Sequence, residues 1–259
     1  MIIYVLLLLV NINMKLHSAP ITFNNYSFDF YVHDPEIDRM VSRKIVKRGP
    51  WEPDLSKIWM DAIGKDDIVL DIGANIGWYS KLAKLQGCSV YSYEPDPRNF
   101  NILKENCPDS NLFNVALGDN NFKKFLKFND TGNYGDSQIR SDAGELTVDV
   151  VKLDDIFLED PFKIKAIKID VQGYEPFVLD GAKNIFSKLP KGCLVLLEFC
   201  PSLLAQNGFN IDCLNDFLSQ FSNSYAMIKD KKLTIPQMFE WFSTLEDDNQ
   251  YYADTVSCI

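Results

Sequence analysis

The chain has 259 residues, 46% of them hydrophobic and 13% aromatic, enough to build one large core or two small ones. Its formal net charge of −10 gives an acidic surface that repels phosphate backbones, so nucleic acid is not an expected partner. The two histidines, His17 and His33, both lie near the N-terminus, and none of the six cysteines form a C-x-x-C pair. A Ser-His-Asp triad and a His- or Cys-rich metal centre are therefore not expected in the main body, and no metal is assigned. Proton transfer there falls to carboxylates, lysine or tyrosine.

Residues Ile2 to Val10 form an unbroken apolar run of nine. That is far short of the roughly 20 residues a membrane-spanning helix needs. It suits a signal-peptide core, with Ser18 and Ala19 as small residues near a cleavage point, or a short anchor, or a tail without regular structure. The secretory pathway and the cytoplasm both stay open, and membrane contact is expected only if this run is an anchor. Residues 1–20 are read as this segment, 21–64 as an extension with lead-in helices, and 65–259 as the main domain.

Residues 21–33, rich in Phe and Tyr, predict a short hairpin. Asp34-Pro35 opens an expected helix through Val46, ended by Gly49-Pro50, and Trp51 to Ile63 a second, ended by Gly64. A strand–helix rhythm follows: Ile68–Leu70, Trp78–Leu85, Ser89–Tyr93, Pro97–Asn106 and a third strand at Leu112–Ala116. Alternating residues in 121–152 predict two half-exposed strands of an added hairpin, joined by a mobile loop, Asp130 to Asp142. The rhythm resumes with a strand at Ile164–Ile169, a helix at Glu175–Phe186, a strand at Cys193–Glu198 and a helix at Ile211–Phe221. Short strands at 225–228, 233–235 and Ala253–Ile259 close the chain. This alternation predicts an α/β fold: a mostly parallel, seven-stranded sheet with helices on both faces. Ligands of such sheets sit beyond the carboxyl ends of the strands.

The strand ends carry Asp71, Glu94, the run Ala116-Leu117-Gly118-Asp119, Asp170 and Glu198. A row of carboxylates on one edge points to a cationic or polyhydroxylic ligand. After Asp71 come Ile72-Gly73-Ala74-Asn75-Ile76-Gly77. Gly73 permits the tight turn and Gly77 a close helix–strand approach. Asn75 stands where a dinucleotide fingerprint has its middle glycine, and Asp71 would repel a diphosphate. Asp71 would instead favour the ammonium and sulfonium of S-adenosylmethionine. Glu94 lies where a carboxylate can accept both ribose hydroxyls, or caps the helix after Pro95. Ala116, Leu117 and Asp119 are placed at the adenine, with Asp119 accepting from its amino group or serving a turn. Asp170 is a general base on an acceptor hydroxyl or orients the cofactor's amino end. Glu175 is an acceptor-side group or a first-turn helix residue, and Glu198 a further acceptor-side candidate.

Taken in order, Val69-Leu70-Asp71-Ile72-Gly73-Ala74-Asn75-Ile76-Gly77, Tyr93-Glu94-Pro95, Ala116-Leu117-Gly118-Asp119, Lys152-Leu153-Asp154-Asp155, Lys168-Ile169-Asp170-Val171-x-Gly173-x-Glu175 and Leu197-Glu198-Phe199 resemble the successive motifs of FkbM-type methyltransferases. The resemblance covers roughly residues 50 to 200. It implies a class I methyltransferase fold for 65–259, S-adenosyl-L-methionine as cofactor, and a hydroxyl acceptor on a small molecule or carbohydrate. Gly49-Pro50-Trp51-Glu52 resembles the family's lead-in, which implies Glu52 near the cofactor. Gln172 departs from the pattern, which often has an acid there. An NAD-dependent oxidoreductase or epimerase on a similar sheet, and a non-catalytic binding module of the same fold, are the competing readings.

Overall fold

The structure is a computed structural model that describes residues 16–129, 131–157, 159–221, 223–228, 231–244 and 252–258. The apolar run Ile2 to Val10 lies outside the described residues. A hairpin of β1 (His17–Phe23) and β2 (Tyr26–Val32) leads the chain, followed by α1 (Ser42–Arg48) and α2 (Pro53–Ala62). The expected first helix thus starts later than Asp34-Pro35. Asp38 explains the delay: its carboxylate accepts from the amide (2.8 Å) and hydroxyl (2.6 Å) of Ser42, which holds 34–41 in turns ahead of the helix.

The central sheet is built from β3 (Ile68–Ile72), β4 (Ser89–Tyr93), β5 (Asn111–Phe113), β10 (Ile164–Ile169), β11 (Leu194–Phe199), β12 (Tyr225–Ile228), β13 (Lys231–Thr234) and β14 (Ala253–Cys258). Its spatial order is β13-β12-β14-β11-β10-β3-β4-β5. The five strands from β11 to β5 run parallel, whereas β14 pairs antiparallel with β11 and with β12. The sheet has one strand more than expected, because β13 folds back on β12 as an edge hairpin. Helices α3 (Trp78–Leu85) and α4 (Pro97–Asn106) follow β3 and β4.

Strand parity sorts the core. Ile68, Leu70, Ile72, Ile167, Ile169 and Leu197 face one core cluster, and Val69, Ala166, Leu194, Leu196 and Val256 the other, where Trp59, Trp78 and Phe30 pack. The second face carries the hairpin and the first three helices. By the same alternation Asp71, Lys168, Glu198 and Asp254 belong to that second face.

The added segment forms a separate sheet, order β6-β9-β7-β8, from β6 (Ala116–Leu117), β7 (Phe122–Lys127), β8 (Gln138–Arg140) and β9 (Leu146–Val151). The expected strand at Leu112–Ala116 is split between the two sheets. The loop expected to be mobile is instead docked. Arg98 lies between the rings of Phe128 (3.7 Å) and Tyr134 (4.3 Å) and pairs with buried Asp96, which also accepts from Ser137 (2.9 Å). After β10 the expected single helix breaks at Gly181-Ala182 into α6 (Glu175–Asp180) and α7 (Lys183–Phe186). A Cβ at Gly181 would stand 1.8 Å from the Gly118 carbonyl, so the close approach there needs glycine. Three helices were not expected, α5 (Leu153–Ile156), Pro201–Gln206 and Ile235–Ser243, the last opened by a capping box of Thr234 and Gln237.

Candidate functional site

The site forms where the chain reverses its direction of strand addition, between β3 and β10. Two turns meet there. Gly73 has φ +78°, and a Cβ on it would lie 1.8 Å from the Asp170 carbonyl oxygen, so only glycine lets the β3 turn close on the end of β10. Gly77 (φ +89°) is tight against Leu103 of α4, where a Cβ would come within 2.6 Å, rather than against the strand as expected.

The turn's amide groups are already used. Those of Gly73 and Ala74 donate to the Tyr93 carbonyl (2.9 and 3.0 Å), that of Gly77 to Ala74 (2.8 Å), and that of Asn75 to Glu94 Oε2 (2.8 Å). The donors a diphosphate needs are engaged, and a carboxylate stands among them. This donor set does not suit a dinucleotide and fits an adenosine ligand without phosphate.

Asp71 does not reach the cleft. Its parity turns it into the second core face, 1% exposed, where Oδ2 accepts from the Ser80 amide (2.9 Å) and hydroxyl (2.5 Å). Ser80 stands at the third position of α3, whose N-cap is Gly77 and makes no side-chain cap. Asp71 supplies the missing cap from the neighbouring strand. Burial raises its pKa, and Lys168, its cross-strand partner, opposes that. Ala74 is likewise withdrawn, packed with Leu103 and Cys107.

Two compartments that share part of their walls lie beyond the strand ends. A narrow slot is lined by Gly73, Asn75, Tyr93, Glu94, Ala116, Leu117 and, across from them, Tyr134 and Gly135 of the docked loop. Glu94 is 5% exposed and accepts from the amides of Asn75 and Asp96 (both 2.8 Å). Burial, then the nearby Asp96, pushes its pKa up to about 8. Asp119 is not part of that lining; its Oδ1 is buried without a hydrogen-bond partner, and it adds to the burial that raises the Tyr174 phenol.

The second compartment is a cavity of about 560 Å³ whose walls include Trp51, Glu52, Asp54, Glu198, Tyr252 and Asp254. Asn75, Gly135, Asp170 and Gln172 line both compartments. Asp170 is fixed at this boundary: Lys168 donates to Oδ2 and Gln172 to Oδ1, each at 2.7 Å. Glu52, expected near the cofactor, lines the wide cavity instead and accepts from the Tyr79 hydroxyl (2.7 Å). Glu198 lines it too, receives a longer bond from Gln172 (3.3 Å), and is the cross-strand partner of Asp254. Glu175 does not face it. Its Oε1 accepts from the Gly173 amide (3.0 Å) and burial pushes its pKa up to about 7, the first-turn alternative of the two expected.

Lys168 is 5% exposed and lies 4.9 Å from the Tyr79 ring. Burial works to lower its pKa, but Asp170, Glu52, Glu198 and Asp71 together raise it. Among the described residues no group of His, Cys, Asp or Glu is arranged to hold a metal, and no helix is long and apolar enough to cross a membrane. Tyr134, Tyr252, Asp254 and the clamp on Asp170 were not identified from sequence. Only Lys168 and Gln172 had a signal, inside the motif around Asp170.

A curated relative, "Hexuronic acid methyltransferase AglP" of Haloferax volcanii, is 24% identical over 137 residues, which cover 51% of this chain and 57% of the relative's length. Similar solved structures include an rRNA methylase from Streptococcus thermophilus (10% identity, 80% of this chain and 95% of that one, TM-score 0.46) and a TehB-like SAM-dependent methyltransferase from Corynebacterium glutamicum (14%, 83% and 92%, TM-score 0.45). The α/β sheet, mixed and eight-stranded, is of the class I methyltransferase type. The methyltransferase FkbM domain model matches residues 71–226, from the capping carboxylate of β3 to the strand beside β14 and including Glu94, Asp170 and Glu198; the chain belongs to the FkbM methyltransferase family.

Proposed function

We propose that the protein transfers a methyl group from S-adenosyl-L-methionine to a hydroxyl oxygen of a small-molecule or carbohydrate acceptor. The observation that carries this reading is the shared wall. A narrow slot and a wide cavity meet at Asp170, with a phosphate-unfriendly glycine turn on the slot side. When bound, S-adenosylmethionine supplies an electrophilic methyl group on a sulfonium.

In this reading Glu94 accepts the ribose hydroxyls, using lone pairs its two amide donors leave free. Ala116 and Leu117 flank the adenine, and Tyr134 with Gly135 closes the slot from above. Asn75 and Gly73 shape the floor where the amino-acid end lies. Asp170, clamped by Lys168 and Gln172, faces the acceptor and takes the hydroxyl proton. A fixed carboxylate at the boundary also holds the acceptor oxygen in line, where positioning carries much of the rate. Glu52 and Glu198 bind the acceptor. The hexuronic acid named for the relative supports a carbohydrate-like acceptor.

Calorimetry tests the donor half. S-adenosylhomocysteine should bind and NAD should not; the reverse would favour the oxidoreductase reading. Asp170→Asn should keep S-adenosylhomocysteine affinity and lose methyl transfer across an acceptor screen. Turnover in that variant would remove Asp170 as the base. Product formation by no acceptor, with cofactor binding intact, would favour a binding module.

A further inference from the structure

The charged groups that line the wide cavity are mostly acids. Glu52, Asp54, Asp170, Glu198 and Asp254 line it, with Lys44 as the cation among the lining residues and that ammonium 5.4 Å from the Trp51 ring. Lys168 is spent on Asp170 at 2.7 Å. Glu198 and Asp254 are paired across β11 and β14, and among the described residues of the cavity lining no lysine or arginine stands between them. The side-chain oxygen Oε1 of Gln172 is buried and has no hydrogen-bond partner, while its amide nitrogen serves Asp170 and Glu198. Carboxylates and an unpaired amide oxygen accept and do not donate. A volume of about 560 Å³ suits a small molecule or one sugar unit.

We propose, resting on the reading of this cavity as the acceptor side, that it takes a polyhydroxylated acceptor bearing a positively charged amine and rejects acceptors bearing a carboxylate. The ammonium supplies three donors and adds to the counter-charge that Lys168, bonded to Asp170, gives Glu198 and Asp254 only in part. Burial, reinforced by Asp170 and Asp254 at Glu198 and by Glu52 at Asp254, holds both acids well above the ordinary carboxylate range, so they give up their protons readily only when positive charge arrives. A carboxylate in the same position adds like charge to a desolvated acidic wall. The cavity therefore differs in charge preference from a site made for a hexuronic acid.

Three polyols that share a hydroxylated chain and differ in charge test this: N-methylglucamine (cationic), sorbitol (neutral) and gluconate (anionic). Each is titrated calorimetrically into the protein with and without saturating S-adenosylhomocysteine. N-methylglucamine should bind roughly tenfold or more tighter than sorbitol, the order expected of one hydrogen-bonded charge, and gluconate weakest. Combining Glu198→Gln with Asp254→Asn should erase the difference between N-methylglucamine and sorbitol while S-adenosylhomocysteine affinity, which reports an intact fold, stays the same. Equal affinities, tighter gluconate, or no binding of any of the three overturns the proposal. Absence of S-adenosylhomocysteine binding would instead defeat the methyltransferase reading, since the charge ranking is read without it.

Discussion

Glu94 offers the sharpest test of the proposed donor slot, because on that reading its protonation changes when ligand binds. In the ligand-free protein burial and Asp96 push its pKa to about 8, from an ordinary 4.5. At pH 6 the carboxyl is therefore mostly protonated. Two ribose hydroxyls need two acceptor oxygens, which the ionised form presents. Binding below pH 8 then releases a proton, and each pH unit below that value costs about 1.4 kcal/mol. The dissociation constant of S-adenosylhomocysteine should fall roughly tenfold per unit from pH 6 to pH 8 and then level. Glu94→Gln should flatten that slope and, at pH 8, weaken binding by roughly 1.5–3 kcal/mol, the worth of a charge-assisted bond. The same titration acts on stability with a definite sign. The folded carboxyl holds its proton more tightly than the unfolded one, so its contribution is full below about pH 4.5 and is lost as pH rises through about 8. Calorimetry at pH 6, 7, 8 and 9 reads the binding. A flat profile in the parent protein, or an unchanged slope in Glu94→Gln, would refute the reasoning.

Other substitutions separate structure from chemistry. Gly73→Ala drives a methyl group into the Asp170 carbonyl at a positive φ, and should cost roughly 2–5 kcal/mol, read as a Tm lower by about 5–15 °C; a fall under about 2 °C would mean the two turns part easily. Asp71→Ala should lower stability by about 2–3 kcal/mol through the stranded Ser80 donors, yet change S-adenosylhomocysteine affinity only a few-fold. A large loss of affinity with unchanged Tm would restore Asp71 to the cofactor site. Arg98→Ala leaves Asp96 buried without its cation and should expose residues 131–140 to hydrogen exchange, with S-adenosylhomocysteine restoring protection. Equal exchange in both proteins would show that the loop is held by other contacts.

The parallel half of the fold was legible because buried parallel strands are near-continuous apolar runs, as in Ile68-Val69-Leu70 and Leu194-Val195-Leu196-Leu197. Glu94 and Asp170 were legible because a strand end followed by a turn leaves little choice of where a side chain goes. Asp71 was misjudged for a related reason. It is the fourth residue of β3, still within the strand, and pleating, not proximity to the glycine turn, decides which face it takes. Asp254 carried no signal at all. Its pairing with Glu198 joins residues 56 positions apart through an antiparallel strand inserted beside β11, which no local pattern announces. The docking of the 131–140 loop was hidden in the same way. Glycines at 132 and 135 read as freedom, but the loop is held by Asp96 and Arg98, far away in sequence.

Charge explains why these pieces occupy one face. Strand parity brings Asp71, Lys168, Glu198 and Asp254 to a single side of the sheet, and the N-cap of α2 adds Glu52. A core cannot hold that many ionised acids without counter-charge. Among the described residues that these carboxylates line up with on the strands, Lys168 supplies it, and its ammonium is bonded to Asp170. The raised pKa values of Glu52, Glu198 and Asp254 show that the remainder is unmet in the free protein. A scaffold under selection for stability alone would replace such acids with apolar residues. On the function proposed above, these acids at the border of two cavities are electrostatic room for positive charge that arrives with ligands: the sulfonium in the slot and an ammonium in the cavity. In that proposal methyl transfer converts the sulfonium to a neutral thioether and removes one of those charges, so the same acids would favour donor binding before the reaction and release of the thioether after it.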